Sequence, residues 1–221
     1  MLNRRDLSRR LASLAGAFGA GRLMLAARPA AAQQALVEGE DYVRIDKPVD
    51  VPHDGKIDVI EFFWYGCPHC YAFEPFIEPW IARLPPDVRF QRVAYGFDEV
   101  LRERHQRVFY TLEALGLVDA LHSKVFDRFH RQRKPIDDEA GMLQFARDNG
   151  LDAVKVKDAW SSFAVATKMR RAKALCEAYG VDFVPLVAIQ GRFLTTPRTD
   201  RDGPRALAAA DSLISQARKE G

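Results

Sequence analysis

The alternation of hydrophobic and polar positions predicts a strand, a helix and a second strand in the first half of the chain. Residues 57–65 form a nearly continuous apolar run of β-branched and aromatic side chains, typical of a buried central strand. From Cys67 to Leu84 the apolar positions recur every three or four residues, which is the spacing of a helix that buries one face. Residues 88–95 alternate and predict a second strand, so the three segments form a β-α-β unit.

Two prolines interrupt the predicted helix. Pro75 and Pro79 each lack the backbone N–H that a helix interior uses. We therefore expect a kink or an early end of the helix at these positions.

The second half of the chain predicts a helical block and then a return to strands. Residues 98–172 show no convincing strand pattern, and the helical pattern continues over residues 173–179 and stops at Gly180. Residues 183–189 predict a third strand, residues 192–194 its hairpin partner, and residues 204–218 a final amphipathic helix. This order predicts an α/β fold interrupted by a helical domain.

The N-terminus has the layout of an export signal. A charged start precedes an Ala-, Gly- and Leu-rich stretch, and small residues at positions 30–32 provide a cleavage site, so residues 1–32 are expected to be removed. Arg4 and Arg5 resemble a twin-arginine motif, with a general secretory signal as the alternative. No later segment has 18 uninterrupted apolar residues, so no membrane-spanning helix is expected.

The charge of the chain also changes once this segment is set apart. Residues 1–32 contain six of the 33 basic residues and one of the 30 acidic residues. The remainder therefore carries 27 basic and 29 acidic side chains, a balance that gives no support to a nucleic-acid-binding face.

Four residues between the first strand and the helix carry the candidate chemistry: Cys67, Pro68, His69 and Cys70. A thiol at a helix N-terminus meets unpaired N–H groups and the positive end of the helix dipole, so we expect a lowered pKa for Cys67. The spacing brings both sulfurs to one helical face, with Cys67 attacking and the less accessible Cys70 resolving. His69 favours the thiolate, and Pro68 suits the first helical turn.

Two alternatives for this motif remain open. A structural disulfide would close an unusually short loop at a helix start. A zinc site through Cys67, His69 and Cys70 would need a distant fourth ligand. We favour a redox-active pair, which needs neither a cofactor nor a metal.

Val184 and Pro185 are candidates for substrate binding. A proline within a central strand loses a ladder hydrogen bond, so Pro185 is expected at the start of the third strand. A cis Val184–Pro185 bond would expose the Val184 backbone, which could then pair with an extended substrate peptide. An ordinary trans proline is the alternative, and it has the higher base rate.

Glu61 is a carboxylate within the apolar first strand, six residues before Cys67. Arg92 shares the inward-facing phase of the second strand, and a buried carboxylate needs a partner, so we expect a Glu61–Arg92 ion pair. If the pair lies near Cys70, Glu61 takes or relays a proton as the dithiol forms. A purely structural ion pair is the alternative.

Cys176 and four histidines are expected to lie outside the chemistry. Cys176 follows the apolar face of a helix and is expected to be a small buried hydrophobic residue rather than a third redox thiol. The remaining histidines are scattered and are expected to be solvated: His53, His105, His122 and His130.

The sequence resembles the DsbA family of periplasmic thiol:disulfide oxidoreductases, part of the thioredoxin superfamily. The resemblance is carried by Glu61-Phe62-Phe63, by Cys67-Pro68-His69-Cys70-Tyr71 with Phe73-Glu74, and by Val184-Pro185. Weaker matches extend over almost the whole chain after residue 32.

The resemblance implies a thioredoxin fold with an inserted helical domain. The thioredoxin-like domain would comprise residues 33–97 and 173–221, and the insertion residues 98–172. The resemblance also implies a cis Val184–Pro185 bond facing the sulfurs, with the family's buried acid at Glu61 and its basic partner at Arg92. Such a protein donates its disulfide to newly exported proteins in the periplasm and is reoxidised by a quinone-linked membrane partner resembling DsbB. We expect a monomer.

Two rival functions use the same motif. A disulfide isomerase or reductase of this superfamily usually carries an N-terminal dimerisation domain, and the roughly 24 residues at positions 33–56 are too few for one. A binding protein or chaperone would hold an inert or metal-loaded CPHC motif.

Overall fold

Five strands and seven helices follow one another in residues 36–96 and 100–220, the part of the chain that the computed structural model describes. The strands are β1 (Val43–Arg44), β2 (Ile57–Phe63), β3 (Val88–Ala94), β4 (Leu186–Ile189) and β5 (Phe193–Thr195). The helices are α1 (Pro68–Ile81), α2 (Val100–Ala114), α3 (Val118–His130), α4 (Glu139–Asp148), α5 (Ala153–Trp160), α6 (Phe163–Ala178) and α7 (Gly203–Glu220). The predicted export signal and the predicted boundary between residues 97 and 98 lie outside the described residues.

The strands form one mixed sheet in the order β1-β5-β4-β2-β3. Strands β2 and β3 are parallel, as the predicted β-α-β unit requires, and the other neighbouring pairs are antiparallel. All seven residues of β2 are buried, which confirms the prediction of a buried central strand. The third predicted strand is shorter than expected, because β4 begins only at Leu186, directly after Pro185.

Helix α1 runs from Pro68 to Ile81, so of the two expected outcomes, a kink or an early end at Pro75 or Pro79, the early end does not occur. Both prolines lie on the exposed face, whereas Phe73, Ile77 and Trp80 on the opposite face are buried. Burial of three large side chains on that face offsets the cost of the two missing backbone donors.

The helical region is present as predicted, and within residues 100–178 the structure contains helices but no strand. Helix α6 passes the predicted domain boundary between residues 172 and 173 without a break. No helix in the described part of the chain combines the length and apolar character needed to cross a bilayer.

Two apolar cores lie on the sheet. One joins the C-terminal half of β2 to helices α2–α6 and includes Phe62, Phe63 and Phe126. The other joins Val59 of β2, Val187 and Ile189 of β4 and Phe193 of β5 to helices α1 and α7. Because β2 contributes to both cores, its C-terminal end, where Cys67 follows, is held from two sides.

Candidate active site

Cys67 is the N-cap residue of α1, at the end of the turn that follows β2. Its sulfur accepts a hydrogen bond from the backbone N–H of Cys70 at 3.4 Å, and Pro68 occupies the first helical turn, where its missing N–H has no cost. The hydrogen bond from the Cys70 thiol, followed by backbone N–H groups and His69, lowers the pKa of Cys67 from 9.0 to about 6. The helix terminus therefore stabilises a thiolate at neutral pH.

Cys70 lies one turn deeper in the same helix and has the opposite character. It is fully buried, whereas Cys67 retains 7% of its surface. Burial, together with its hydrogen bond to Cys67, raises the pKa of Cys70 well above 9.0. The pair thus contains one stabilised, more accessible thiolate and one buried thiol; the structure shows both in the reduced form.

His69 is exposed on the opposite side of the motif from the protein core. Its Nδ1 lies 2.8 Å from Oδ1 of Asp200, in the loop before α7. The hydrogen bond with Asp200 raises the pKa of His69, and the negative charge of Cys67 acts in the same direction. His69 therefore points toward Asp200, and Cys67, His69 and Cys70 do not form a set of convergent metal ligands.

The Val184–Pro185 peptide bond is cis, as the resemblance implied. The Val184 carbonyl oxygen accepts a hydrogen bond from the Cys67 thiol at 3.5 Å, and the Thr196 hydroxyl donates to the Pro185 carbonyl at 2.7 Å. Cys67 and Val184 are thus adjacent although 117 positions separate them in the chain. The structure places both of the predicted substrate-binding residues beside the reactive sulfur.

A cavity of about 380 Å³ opens next to this loop. Its walls include His69, Phe73, Val184 and Pro185, and Phe183 stands at its edge with 52% of its surface exposed. A large exposed aromatic side chain beside an open groove is typical of a surface that binds a partner.

Glu61 and Arg92 form the expected ion pair. They are opposite each other in the β2–β3 register, and Arg92 Nε donates to Glu61 Oε2 at 2.9 Å. Arg92 also donates to Glu78 on α1 at 2.7 Å. Burial raises the pKa of Glu61 to about 7, and Arg92 opposes that shift. Burial is the largest cause of the raised pKa of Cys70, and the charge of Glu61 acts in the same direction.

Sequence reasoning missed a second buried polar group beneath α1. Glu74 Oε1 lies 3.4 Å from His122 Nε2, and the other nitrogen of His122 lies 2.8 Å from the Tyr65 hydroxyl. Burial raises the pKa of Glu74 to about 8 and lowers the pKa of His122 to about 3.

The expectation of solvated histidines was wrong for His105 and His122, which are buried, and His130 is only partly exposed. His53 is exposed as expected. The helical phase carried the signal: His122 lies three and four positions before the buried Val125 and Phe126. The same phase places Glu74 between the buried Cys70 and Ile77 of α1.

The buried His105 helps to fix the turn before the CPHC motif, because it holds the side chain of Trp64. The indole ring of Trp64 packs over Gly66, where a β-carbon would collide with it. Trp64 Nε1 donates to His105 Nδ1 at 3.0 Å, and His105 Nε2 lies 2.8 Å from Asp137. Gly66 is therefore required by the packing of Trp64.

Cys176 is fully buried in the helical core, as expected. Burial raises the pKa of Cys176 to about 12, so the thiol is unreactive at neutral pH.

A sheet of this topology, with a CPHC motif at the start of the helix after its central strand, defines a thioredoxin-like thiol:disulfide oxidoreductase. Comparisons with known proteins agree. A family model described as "DSBA-like thioredoxin domain" matches residues 92–202. The chain belongs to the DsbA family, and it is a protein-disulfide oxidoreductase.

Relatives of similar length support this assignment. The thiol:disulfide interchange protein DsbA of Bordetella parapertussis is 40% identical over 181 residues, which cover 81% of this chain and 86% of the relative. The crystal structure of Pseudomonas aeruginosa DsbA has a TM-score of 0.77 at 37% identity and covers 82% of this chain and 94% of that one. A DsbA structure from Xylella fastidiosa has a TM-score of 0.75 at 28% identity, covering 83% and 98%.

Proposed function

We propose that the protein acts as a dithiol oxidase, donating the Cys67–Cys70 disulfide to newly exported proteins during oxidative folding in the periplasm. The observation that carries this proposal is the difference between the two thiols: the pKa of Cys67 is about 6, whereas that of the buried Cys70 is raised well above 9.0. A cysteine with a low pKa is a good leaving group, so its disulfide is readily passed on.

The reaction begins when a substrate thiolate attacks the Cys67 sulfur. The Cys67–Cys70 bond breaks, a substrate–Cys67 mixed disulfide forms, and Cys70 leaves with the electron pair. Because the pKa of Cys70 is high, the departing sulfur takes up a proton, and the pKa of Glu61, raised to about 7, supports Glu61 as the group that supplies it.

A second substrate thiolate then attacks the substrate sulfur of the mixed disulfide and expels Cys67 as a thiolate. Two electrons have passed from the substrate to the Cys67–Cys70 pair, and the substrate holds a new disulfide. In the mixed disulfide the Val184 backbone, with Pro185 beside it, would pair with the extended substrate chain. Pro68 starts the helix that stabilises the thiolate, and His69 adds positive charge next to it.

Electrons move only between sulfur atoms in this scheme, so the reaction needs no cofactor. Turnover requires an oxidant for the reduced pair, and a quinone-linked membrane protein resembling DsbB would fill that role. Residues 1–32 would direct export and would then be removed. Recognition of Arg4 and Arg5 as a twin-arginine motif would select the twin-arginine route. We propose that the exported protein works as a monomer.

The first test measures the alkylation rate of the reduced protein as a function of pH, with Cys67→Ser as the control. We expect the reactive fraction to titrate with a midpoint near the Cys67 pKa of about 6, and we expect the control to lack this titration. A midpoint close to the free-thiol value of about 8.5 would contradict an oxidase and favour a reductase or a binding function.

A second measurement separates an oxidase from an isomerase. The oxidised protein is mixed with a reduced, unfolded substrate that contains two cysteines, and the reduced protein is mixed with a mispaired, oxidised substrate that contains four. An oxidase removes two substrate thiols per Cys67–Cys70 disulfide consumed, whereas an isomerase changes disulfide pairing without net loss of thiols.

A further inference from the structure

Three side chains that the redox reaction does not use, Glu74, Glu78 and His122, converge between α1 and α3. Glu74 and Glu78 are one turn apart on α1, and His122 reaches toward them from α3. One potential ligand atom from each residue lies within 4.8 Å of the other two. Within the described residues this is the one set of at least three histidine, cysteine or acidic side chains that converges in this way.

Three buried atoms of this cluster make no hydrogen bond within the described part of the chain. They are the two carboxylate oxygens of Glu74 and Nε2 of His122, which lies 3.4 Å from Glu74 Oε1 without forming a hydrogen bond to it. Both residues are more than nine-tenths buried, with exposed fractions of 6% and 2%. Buried polar atoms are nearly always hydrogen-bonded, so three unpartnered atoms that face one another indicate a ligand that binds between them.

We propose that Glu74, Glu78 and His122 bind a zinc ion. Two carboxylate oxygens and one imidazole nitrogen are a ligand set that zinc accepts. Two ligand atoms on a tetrahedral zinc ion lie roughly 3.3 Å apart, and Glu74 Oε1 is already 3.4 Å from His122 Nε2. The side chain of Glu78 is 46% exposed, so the ion can enter from solvent and keep a water molecule as fourth ligand.

The groups around the cluster suit a divalent cation. The Tyr65 hydroxyl lies 2.8 Å from Nδ1 of His122 and can accept a hydrogen bond from Nδ1–H, the tautomer in which Nε2 is free to bind a metal. Arg92 forms ion pairs with Glu61 and Glu78. Its positive charge balances the charge of one of the three carboxylates in this region, which are Glu61, Glu74 and Glu78. Two negative charges then remain when all three are ionised, which matches the charge of one zinc ion.

Zinc at this position would connect α1, which carries the CPHC motif, to α3 of the helical region. The site is separate from the cysteines, because its ligands lie one and two turns beyond Cys70 and on another helix. Its expected effect is to hold the active-site helix against the helical region.

The test titrates the full chain carrying Cys67→Ser and Cys70→Ser with zinc in competition with a chromogenic chelator, so that the reactive thiols cannot bind the metal. We expect one zinc ion per chain and a higher Tm when zinc is present. Adding Glu78→Gln should weaken zinc binding at least roughly tenfold. This glutamate is exposed, so the variant should fold normally, which circular dichroism verifies.

Glu177→Gln and His53→Gln are the matched controls, because both side chains are exposed and lie outside the cluster. They should bind zinc as the parent chain does. His122→Asn should also lose binding if it folds. The proposal is overturned if no saturable binding occurs with zinc up to about 10 µM, or if Glu78→Gln leaves the affinity unchanged.

Discussion

Cys67 and Cys70 are chemically identical residues, and their different surroundings within one helical turn give them different pKa values. Cys67 stands at the end of the helix, where N–H groups and the Cys70 thiol donate to it. Cys70 is inside the first turn and is fully buried, so an anion there would be desolvated. The negative charge therefore lies on the sulfur that accepts hydrogen bonds at the helix end, and the fully buried sulfur stays protonated.

Asp200 is expected to act on Cys67 through His69. Replacing Asp200 with Asn removes the hydrogen-bonded anion that raises the pKa of His69, so less imidazolium remains near neutral pH. Both side chains are largely exposed, so the effect is small, and we expect the pKa of Cys67 to rise by roughly a few tenths. The pH profile of alkylation measures this shift.

Asp202→Asn is the control for that variant. It removes a charge from the same loop, directly before the helix that begins at Gly203, at a position where Asn is as acceptable as Asp. An equal shift in both variants would show that the general charge of the loop, rather than the contact between Asp200 and His69, is responsible.

At the scale of elements, the parallel pairing of β2 and β3 brings the Glu61–Arg92 pair together under α1. Arg92→Ala should destabilise the protein by roughly 3–5 kcal/mol, because a buried carboxyl group loses its cation. Loss of the cation raises the pKa of Glu61 above its present value of about 7, so the destabilisation should be larger at pH 9 than at pH 5. Urea unfolding at the two pH values measures it.

Arg83→Ala provides the comparison, because Arg83 is 63% exposed and pairs with Asp211 on the surface. Its cost should stay below about 1 kcal/mol. Similar costs for the two arginine variants would mean that the Glu61–Arg92 pair contributes no more than a surface ion pair.

Most of the elements could be predicted from the sequence because their apolar faces follow regular periods. The pattern located β2, β3, the helical region, the hairpin of β4 and β5, and α7. The pattern failed where the tendency of proline to end a helix competes with burial of the helix face, as at Pro75 and Pro79 in α1. It also missed the two-residue strand β1, whose pairing with β5 joins residues about 150 positions apart and leaves no local period.

At the scale of the whole molecule, distant segments surround the reactive sulfur and create a substrate surface. Phe183→Ser should raise the KM for a peptide dithiol by roughly three- to tenfold, because the peptide loses an exposed aromatic contact beside Val184. The rate with a small dithiol and the pKa of Cys67 should not change. Phe163→Ser is the control: Phe163 is 79% exposed at the start of α6. A similar change of KM in both variants would argue against a specific groove.

The redox state should also change how global stability depends on pH. The pKa of Cys67 falls on folding from 9.0 to about 6, so its stabilising contribution is complete above pH 9 and is lost as the pH falls through about 6. The stability of the reduced protein relative to the oxidised one should therefore increase from pH 6 to pH 9, by on the order of 3 kcal/mol after allowance for solvent screening. Parallel denaturant titrations of the two forms test this sign, and the stability of reduced Cys67→Ser, which has no Cys67 thiol to titrate, should not show this increase from pH 6 to pH 9.

The sequence by itself determined the motif, its position between a strand and a helix, and the inward phase of Glu61, because these depend on residue type and short-range periodicity. Only the tertiary structure decided which distant groups meet. Val184 contacts Cys67, Asp200 contacts His69, and His122 faces Glu74. These contacts depend on how the sheet and the helical region pack, and packing sums many weak interactions that no single stretch of sequence contains.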